Sequence, residues 1–457
     1  MVNHYDIAYG LGVGVSAPYW LIRPSARRKV LTAFRQRMGR VESVNRDPAK
    51  PAVMIHAVSL GEINATQSLV TALKRAPVVP HVIISTTTES GYARARQLYG
   101  GVANLTVVRY PLDFSKAVTR ALEVLRPDVV VLMELEVWPN FLRACARRDI
   151  PVVLVNGRLT PSSYRRYRII KPVATSMFRR LTGICVQDQT YAERFIELGA
   201  SPGRVLITGT MKFDTAQVAD RVEGDDELAT DVGLFPGAEP IWVCGSTGPG
   251  EEEILLHTYR QLLAKHSRLR LVIVPRKPER FDEVAALVEG MKFQCVRRSR
   301  TFGPMKAPVP TPGSAIVPPV ILGDTMGELR KFYSLADVVF VGRSLLDLGS
   351  RQHGSDMIEP AALGKPVIVG PYTGNFAEAM NKFRAADAVM EVAPDEHALA
   401  QTVSVLLYSP DQATTMARRA QAVCVKERGA TLRHAEVIYG LLNRRGKVMR
   451  DAVVVEQ

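Results

Sequence analysis

The sequence predicts an α/β protein built from two doubly wound parallel sheets behind an apolar leader. Three observations carry this. Continuous β-branched runs recur along most of the chain, with helical periodicity between them. The chain, at 457 residues, is longer than one ordinary core supports. The alternation stops once, in an acidic stretch near the middle, and then restarts. Apolar strands without polar alternation belong to parallel sheets covered on both faces. Strands alternating with helices make βαβ units.

The leader comes first. Residues 7–22, IAYGLGVGVSAPYWLI, carry no charge and are followed by Arg23, Arg27, Arg28 and Lys29. The run is short for a bilayer span, which takes about 20 residues. Its cations follow the apolar run and no small-residue cleavage site closes it, so it does not read as a secretory signal. Tyr19 and Trp20 suit a membrane interface, and the cations suit anionic headgroups on its cytoplasmic side. The expectation is an anchor, interfacial or shallowly inserted. The competing one is a helix packed on the body of the protein.

The first half carries strand-like runs at 52–58, 81–86, 128–134, 151–156, 183–188 and 204–209. Residues 215–239 are acidic and lack a strand pattern, as expected of a connection. The second half resumes with runs at 241–247, 269–276, 318–324, 337–344 and 366–371. Residues 298–315, rich in Pro and Gly, read as an exposed loop.

Composition narrows the partners. The net charge is +14 and the pI about 9.6, which implies an anionic partner: nucleic acid, an acidic membrane surface or phosphorylated substrates. Aromatic residues are only 7% and no arginine-rich tail or RNA-binding signature is present, so nucleic acid is not expected. The five cysteines are scattered without C-x-x-C spacing and read as reduced core residues of a cytosolic protein. No metal-ligand spacing, Walker A loop, G-x-S-x-G elbow or strand-following G-x-G-x-x-G is present. Neither a metal nor a cofactor is expected.

In open parallel sheets, ligands bind beyond the carboxyl ends of the strands. Glu62 follows the first strand through Ser59, Leu60 and Gly61. Gly61 allows an unusual backbone angle or a close ligand approach. Ser59 and Asn64 are candidate helix N-caps. Glu62 is then either a first-turn carboxylate favoured by the helix dipole or a working group. Glu134 and Glu136 end the strand at 128–134; if that strand continues, both point to one side. Lys212 ends the run at 204–209. In the second half, Ser246 and Thr247 open a Gly-rich loop whose amides can bind phosphate. Pro275 and Arg276 end the next strand, Met326, Gly327 and Glu328 stand at a helix start, and Glu359 precedes Pro360. A carboxylate at Glu359 suits a ribose diol.

Six ordered segments, HAVSLGE, MELEVWPN, GTMKFD, VPRKPERF, GDTMGEL and EPAALGKPVIVGPYTGNF, span about residues 30–380. Together they resemble the 3-deoxy-D-manno-octulosonic acid (Kdo) transferases of lipid A assembly. The resemblance implies a GT-B glycosyltransferase fold, its two domains facing across a cleft. It implies a CMP-Kdo donor, a lipid A precursor (lipid IVA) as acceptor, and inversion at the anomeric carbon without a metal. It places the chain at the anionic inner-membrane surface, with catalytic domains on the cytoplasmic face. Glu62 matches the family's proton acceptor, and Glu134 and Lys212 match transition-state stabilisers. Pro275, Arg276, Met326, Gly327 and Glu328, with the run Asp356, Met357, Ile358 and Glu359, match the family's CMP-contacting segments. Ser59, Gly61, Glu136, Ser246 and Thr247, read from the loops themselves, are further candidate substrate-binding residues.

On this reading residues 1–40 are anchor and basic segment, 41–214 an acceptor-binding Rossmann-like domain, and 215–239 a connection. Residues 240–435 are a CMP-sugar-binding Rossmann-like domain and 436–457 a tail. Two departures stand out. SRQHGSDMIE replaces the family's G-G-H-N-P-L-E, with a short insertion after Ser344, and Gly248 stands where the family has histidine. The alternatives are another GT-B nucleotide-sugar transferase or epimerase, and a non-enzymatic membrane-docked nucleotide- or lipid-binding protein.

Overall fold

A computed structural model describes residues 3–22, 33–42, 44, 46–75, 78–301, 317–349 and 352–455. The basic cluster at 23–29, most of the 298–315 loop and Arg351 lie outside the described residues, as do the side chains of Tyr19 and Trp20. The chain forms two compact units, Met1–Thr215 with Arg428–Gln457, and Ala216–Glu427.

The first unit holds seven parallel strands: β1 (Ala52–His56), β2 (His81–Thr86), β3 (Leu105–Arg109), β4 (Val129–Met133), β5 (Val152–Gly157), β6 (Gly183–Val186) and β7 (Val205–Ile207). Their order is β3-β2-β1-β4-β5-β6-β7. Successive residues of β1 enter opposite cores. Ala52 and Met54 pack with Val130, Leu132 and Phe141, whereas Val53 and Ile55 pack with Leu69, Val82 and Val131. Burial on both faces explains why these strands read as unbroken apolar runs. The pattern missed β3, whose first two residues are only half-buried at the sheet edge.

The second unit repeats the plan with β8 (Ile241–Thr247), β9 (Arg270–Pro275), β10 (Cys295–Arg297), β11 (Val320–Leu322), β12 (Val338–Val341), β13 (Val367–Val369) and β14 (Met390–Glu391). Their order is β10-β11-β9-β8-β12-β13-β14, all parallel. The two strands not anticipated, β10 and β14, are three and two residues long and sit at the edges. Each sheet reverses its winding once, between β1 and β4 and between β8 and β12. Those switch points open crevices at the strand ends where ligands bind.

Two sequence boundaries are corrected. Residues 428–457 are not the end of the second domain plus a tail but return to the first unit. In the helix Ala430–Val455, Ala435 and Ile438 join the core of β1, and the Tyr439 hydroxyl donates to the Ala72 carbonyl at 2.9 Å. His434 accepts from the Asn156 amide at 2.9 Å. The stretch 215–239 is more than a connection: its helix Asp225–Val232 buries Leu228, Ala229 and Val232 in the second unit.

The leader is a helix, His4–Ile22, with Pro18 inside it. Its first turn is fastened to the first unit. Asp6, almost fully buried, accepts from the Ser115 amide at 2.7 Å and from Asn140 at 3.2 Å, and Tyr9 meets Phe114 edge-on. Among the described residues no helix is long and apolar enough to cross a membrane.

Candidate active site

In the first unit the expected side chains come from loops after β1, β4 and β7. Ser59 is the N-cap of the helix Leu60–Lys74, and its hydroxyl accepts from the Glu62 amide at 3.2 Å. The Glu62 carboxylate returns to accept from the amides of Ser59 at 3.2 Å and Val58 at 2.9 Å, closing a capping box. Gly61 needs no unusual angle, since a Cβ there would meet only the Ser59 hydroxyl at 3.9 Å. Asn64 is no cap; it lies inside the helix and accepts from Arg94 at 2.7 Å.

β4 stops at Met133, so Glu134 and Glu136 do not share a strand face as alternation implied. Glu134 instead takes a left-handed backbone, φ 52°, with its amide donating to the Val155 carbonyl at 3.0 Å. This turn still gathers the carboxylates. Burial pushes Glu134 above the usual carboxylate range, the charge of Glu62 adds to the rise, and Lys212 and Arg158 oppose it. Glu136 is pushed up to about 7, first by burial and then by Glu62. Glu62, Glu134, Glu136 and Lys212 are therefore one electrostatic cluster. Lys212 begins the helix Lys212–Thr215, beside Met211, whose amide donates to Asn156 Oδ1 at 3.2 Å.

Sequence reasoning overlooked His56 in this cluster. It is fully buried and stacked on Tyr110 at 3.7 Å between centroids. Its Nδ1–H donates to the Ser85 carbonyl at 3.1 Å, and Nε2 faces Glu136 Oε2 at 3.9 Å. Burial lowers its pKa to about 3, so the ring is neutral at ordinary pH. A histidine at a strand end beside a carboxylate loop was the available signal.

In the second unit Arg276 is exposed after Pro275, its amide bonded to the Thr247 carbonyl at 3.0 Å. Glu359, in the helix Ile358–Ala362, is pushed up to about 7 by burial and then by Asp356, against Arg330 and Arg276. Asp356 is exposed and accepts from the Ile358 amide at 2.9 Å. Met357 and Ile358 are fully buried, so their side chains are core and not ligand contacts. Met326 is exposed, Gly327 has φ 90°, and Glu328 is gripped by Arg298 at 3.1 and 3.2 Å. Ser246 is nearly buried, and the Thr247 hydroxyl donates to Glu252 at 2.7 Å. The Gly248 amide, expected among the phosphate donors, is taken by the buried Glu251 carboxylate at 2.8 Å.

The chain is thus of the class built from two doubly wound parallel-sheet units with charged groups on their strand-end loops. A glycosyltransferase from Rickettsia africae shares the fold, with a TM-score of 0.56 at 14% identity over 86% of this chain and 99% of that one. Residues 32–215 match the family model described as 3-deoxy-D-manno-octulosonic-acid transferase (kdotransferase). The Haemophilus influenzae 3-deoxy-D-manno-octulosonic acid transferase is 35% identical over 401 residues, covering 87% of this chain and 88% of that protein. The protein of the same name from Bordetella pertussis is 33% identical, covering 88% and 90%. The chain belongs to the 3-deoxy-D-manno-octulosonic acid transferase family and is a glycosyltransferase.

Proposed function

We propose that this enzyme transfers Kdo from CMP-Kdo to a lipid A precursor, lipid IVA, in lipopolysaccharide core assembly, with inversion at the anomeric carbon. The observation that carries the assignment is the cluster of Glu62, Glu134 and Glu136 at the β1/β4 switch point of a family member, with Lys212 from the loop after β7 in its field. The acceptor hydroxyl oxygen attacks the anomeric carbon as its bond to the CMP phosphate breaks. The hydroxyl proton passes to Glu62, and CMP leaves with the bonding electron pair. Both Glu62 oxygens already accept an amide hydrogen bond, which fixes the carboxylate; each keeps a second lone pair for the hydroxyl. Lys212 offers a cation to negative charge in the transition state. Arg276 serves the donor phosphate, and Glu359 the ribose hydroxyls.

The enzyme works at the inner membrane from its cytoplasmic face, with the leader helix on the anionic surface. Ile7, Leu11, Val15 and Ile22 are 57%, 64%, 83% and 78% exposed. At 3.6 residues per turn they fall within an arc of about 80°. Such an apolar stripe suits a helix lying in the interface, and the formal charge of +14 adds attraction to anionic lipid.

The test is incubation of the full chain with radiolabelled CMP-Kdo and a tetraacylated lipid A precursor. Label should appear in the lipid. Labelled donor left intact, or hydrolysed without lipid product, overturns the assignment.

A further inference from the structure

Arg343 follows β12 through Gly342, on the second sheet's switch point. The loops after β8 and β12 touch there: the Gly342 amide donates to the Gly245 carbonyl at 2.8 Å, and a Cβ on Gly342 would stand 2.5 Å from Thr247 Cα. Arg343 has φ 57°, a left-handed backbone that glycine adopts freely and other residues only at a cost. Its main chain is pinned on both sides. The amide donates to Glu251 Oε2 at 2.6 Å, and the carbonyl accepts from Gly354 at 2.6 Å.

The surroundings leave the guanidinium's charge unanswered. Glu251 is the carboxylate whose field Arg343 feels, and its two oxygens accept the amides of Gly248, Arg343, Ser344 and Leu345. The stem crosses Gly248, where a Cβ would lie 3.0 Å from Arg343 Cγ. Nε is buried without a hydrogen-bond partner. Arg276 is near enough that its charge, after burial, works against that of Arg343. Among the described residues neither guanidinium has a carboxylate within ion-pairing distance. Two cations in each other's field at a switch point, one with its stem over a glycine, make an anion site.

We propose that Arg343 is a second cation for the donor's phosphodiester, holding it from the β12 side as Arg276 does from β9. This rests on the assignment of a CMP-sugar donor. A guanidinium is planar and always charged, so it can take two phosphate oxygens at once.

The experiment is titration of the full-length protein and its Arg343→Gly, Arg343→Ala and Arg343→Lys variants with CMP and with cytidine, which lacks the phosphate. Glycine relieves the left-handed backbone, so Arg343→Gly should melt no lower than the wild type. It should nonetheless bind CMP at least about tenfold more weakly. Alanine should do the same, lysine should restore part of the loss, and cytidine binding should not change. CMP affinity kept in the glycine variant, or equal losses for CMP and cytidine, overturns the role of Arg343 alone. A wild type that binds no CMP overturns the donor assignment and this proposal with it.

Discussion

Glu62 and Ser59 cap each other: the Ser59 hydroxyl accepts from the Glu62 amide, and the Glu62 carboxylate accepts from the Ser59 amide, each at 3.2 Å. The same carboxylate is thus a fold element and the assigned base, and substitutions separate the two roles. Glu62→Gln keeps one acceptor oxygen for the cap, turns an NH2 toward the other backbone amide, and is a poor base. It should cost about 1–3 kcal/mol of stability and lower kcat at least about a hundredfold. Ser59→Ala should cost about as much stability with a far smaller effect on kcat. Thermal melts beside initial rates decide this; near-normal turnover in Glu62→Gln removes it as the base.

Glu136 makes stability depend on pH. Its folded pKa, about 7, lies above the ordinary 4.5, so the folded state holds this proton more tightly than the unfolded chain. The contribution is complete below about 4.5 and is lost as pH rises through 7. Glu136→Gln removes it. Melting temperatures measured from pH 5 to 8 should show the wild type declining relative to the variant. Parallel curves would mean that Glu136 is ionised throughout. His56, neutral in the folded state but protonated in the unfolded chain below about 6.5, raises stability as pH climbs to that point in both proteins, and so cancels from the comparison.

Glu359 predicts a pH dependence in binding. A carboxylate can accept from both ribose hydroxyls only when ionised, and its pKa is about 7 in the free protein. CMP affinity should therefore tighten as pH rises through 7, with that step missing in Glu359→Gln. Asp356 helps hold the pKa up, so Asp356→Asn should move the step to lower pH without a large loss of affinity. Glu359→Ala should weaken CMP by about 1–3 kcal/mol. Large, equal losses from both substitutions would make Asp356 a ligand contact.

The leader offers a test that leaves the body intact. Leu11→Gln with Val15→Gln changes only exposed side chains, at 64% and 83%. The pair should leave melting unchanged and reduce co-sedimentation with anionic phospholipid vesicles severalfold. Asp6→Ala strands the Ser115 and Asn140 donors and should lower stability by about 1–3 kcal/mol. Undiminished vesicle binding by the double variant would transfer the membrane contact to another surface.

Much of this was written locally. The β-branched runs of 52–58 or 128–134 stop at glycine or a carboxylate, and those stops are where Glu62, Glu134 and Lys212 stand. Period and punctuation are short-range signals, so strands, their ends and the charged groups on them could be read in order. Edge strands such as β10 and β14 could not, because two or three residues are too few to carry a period.

Other features depend on which distant segments meet. Nothing near Glu62 in sequence announces that the β4 turn will bring Glu134 and Glu136 into its field. That Ala435 and Ile438 cover the core of β1, nearly 400 residues earlier in the chain, follows from matching apolar faces with no local mark. Arg343 and Arg276 are neighbours only because β9, β8 and β12 lie side by side. The sequence by itself determined the strand ends and the residues placed on them, since local chemistry dictates where a buried strand must stop. Only the tertiary structure decided which strand ends adjoin, and so which charges share one site, because parallel strand order is set by long-range burial on both sheet faces.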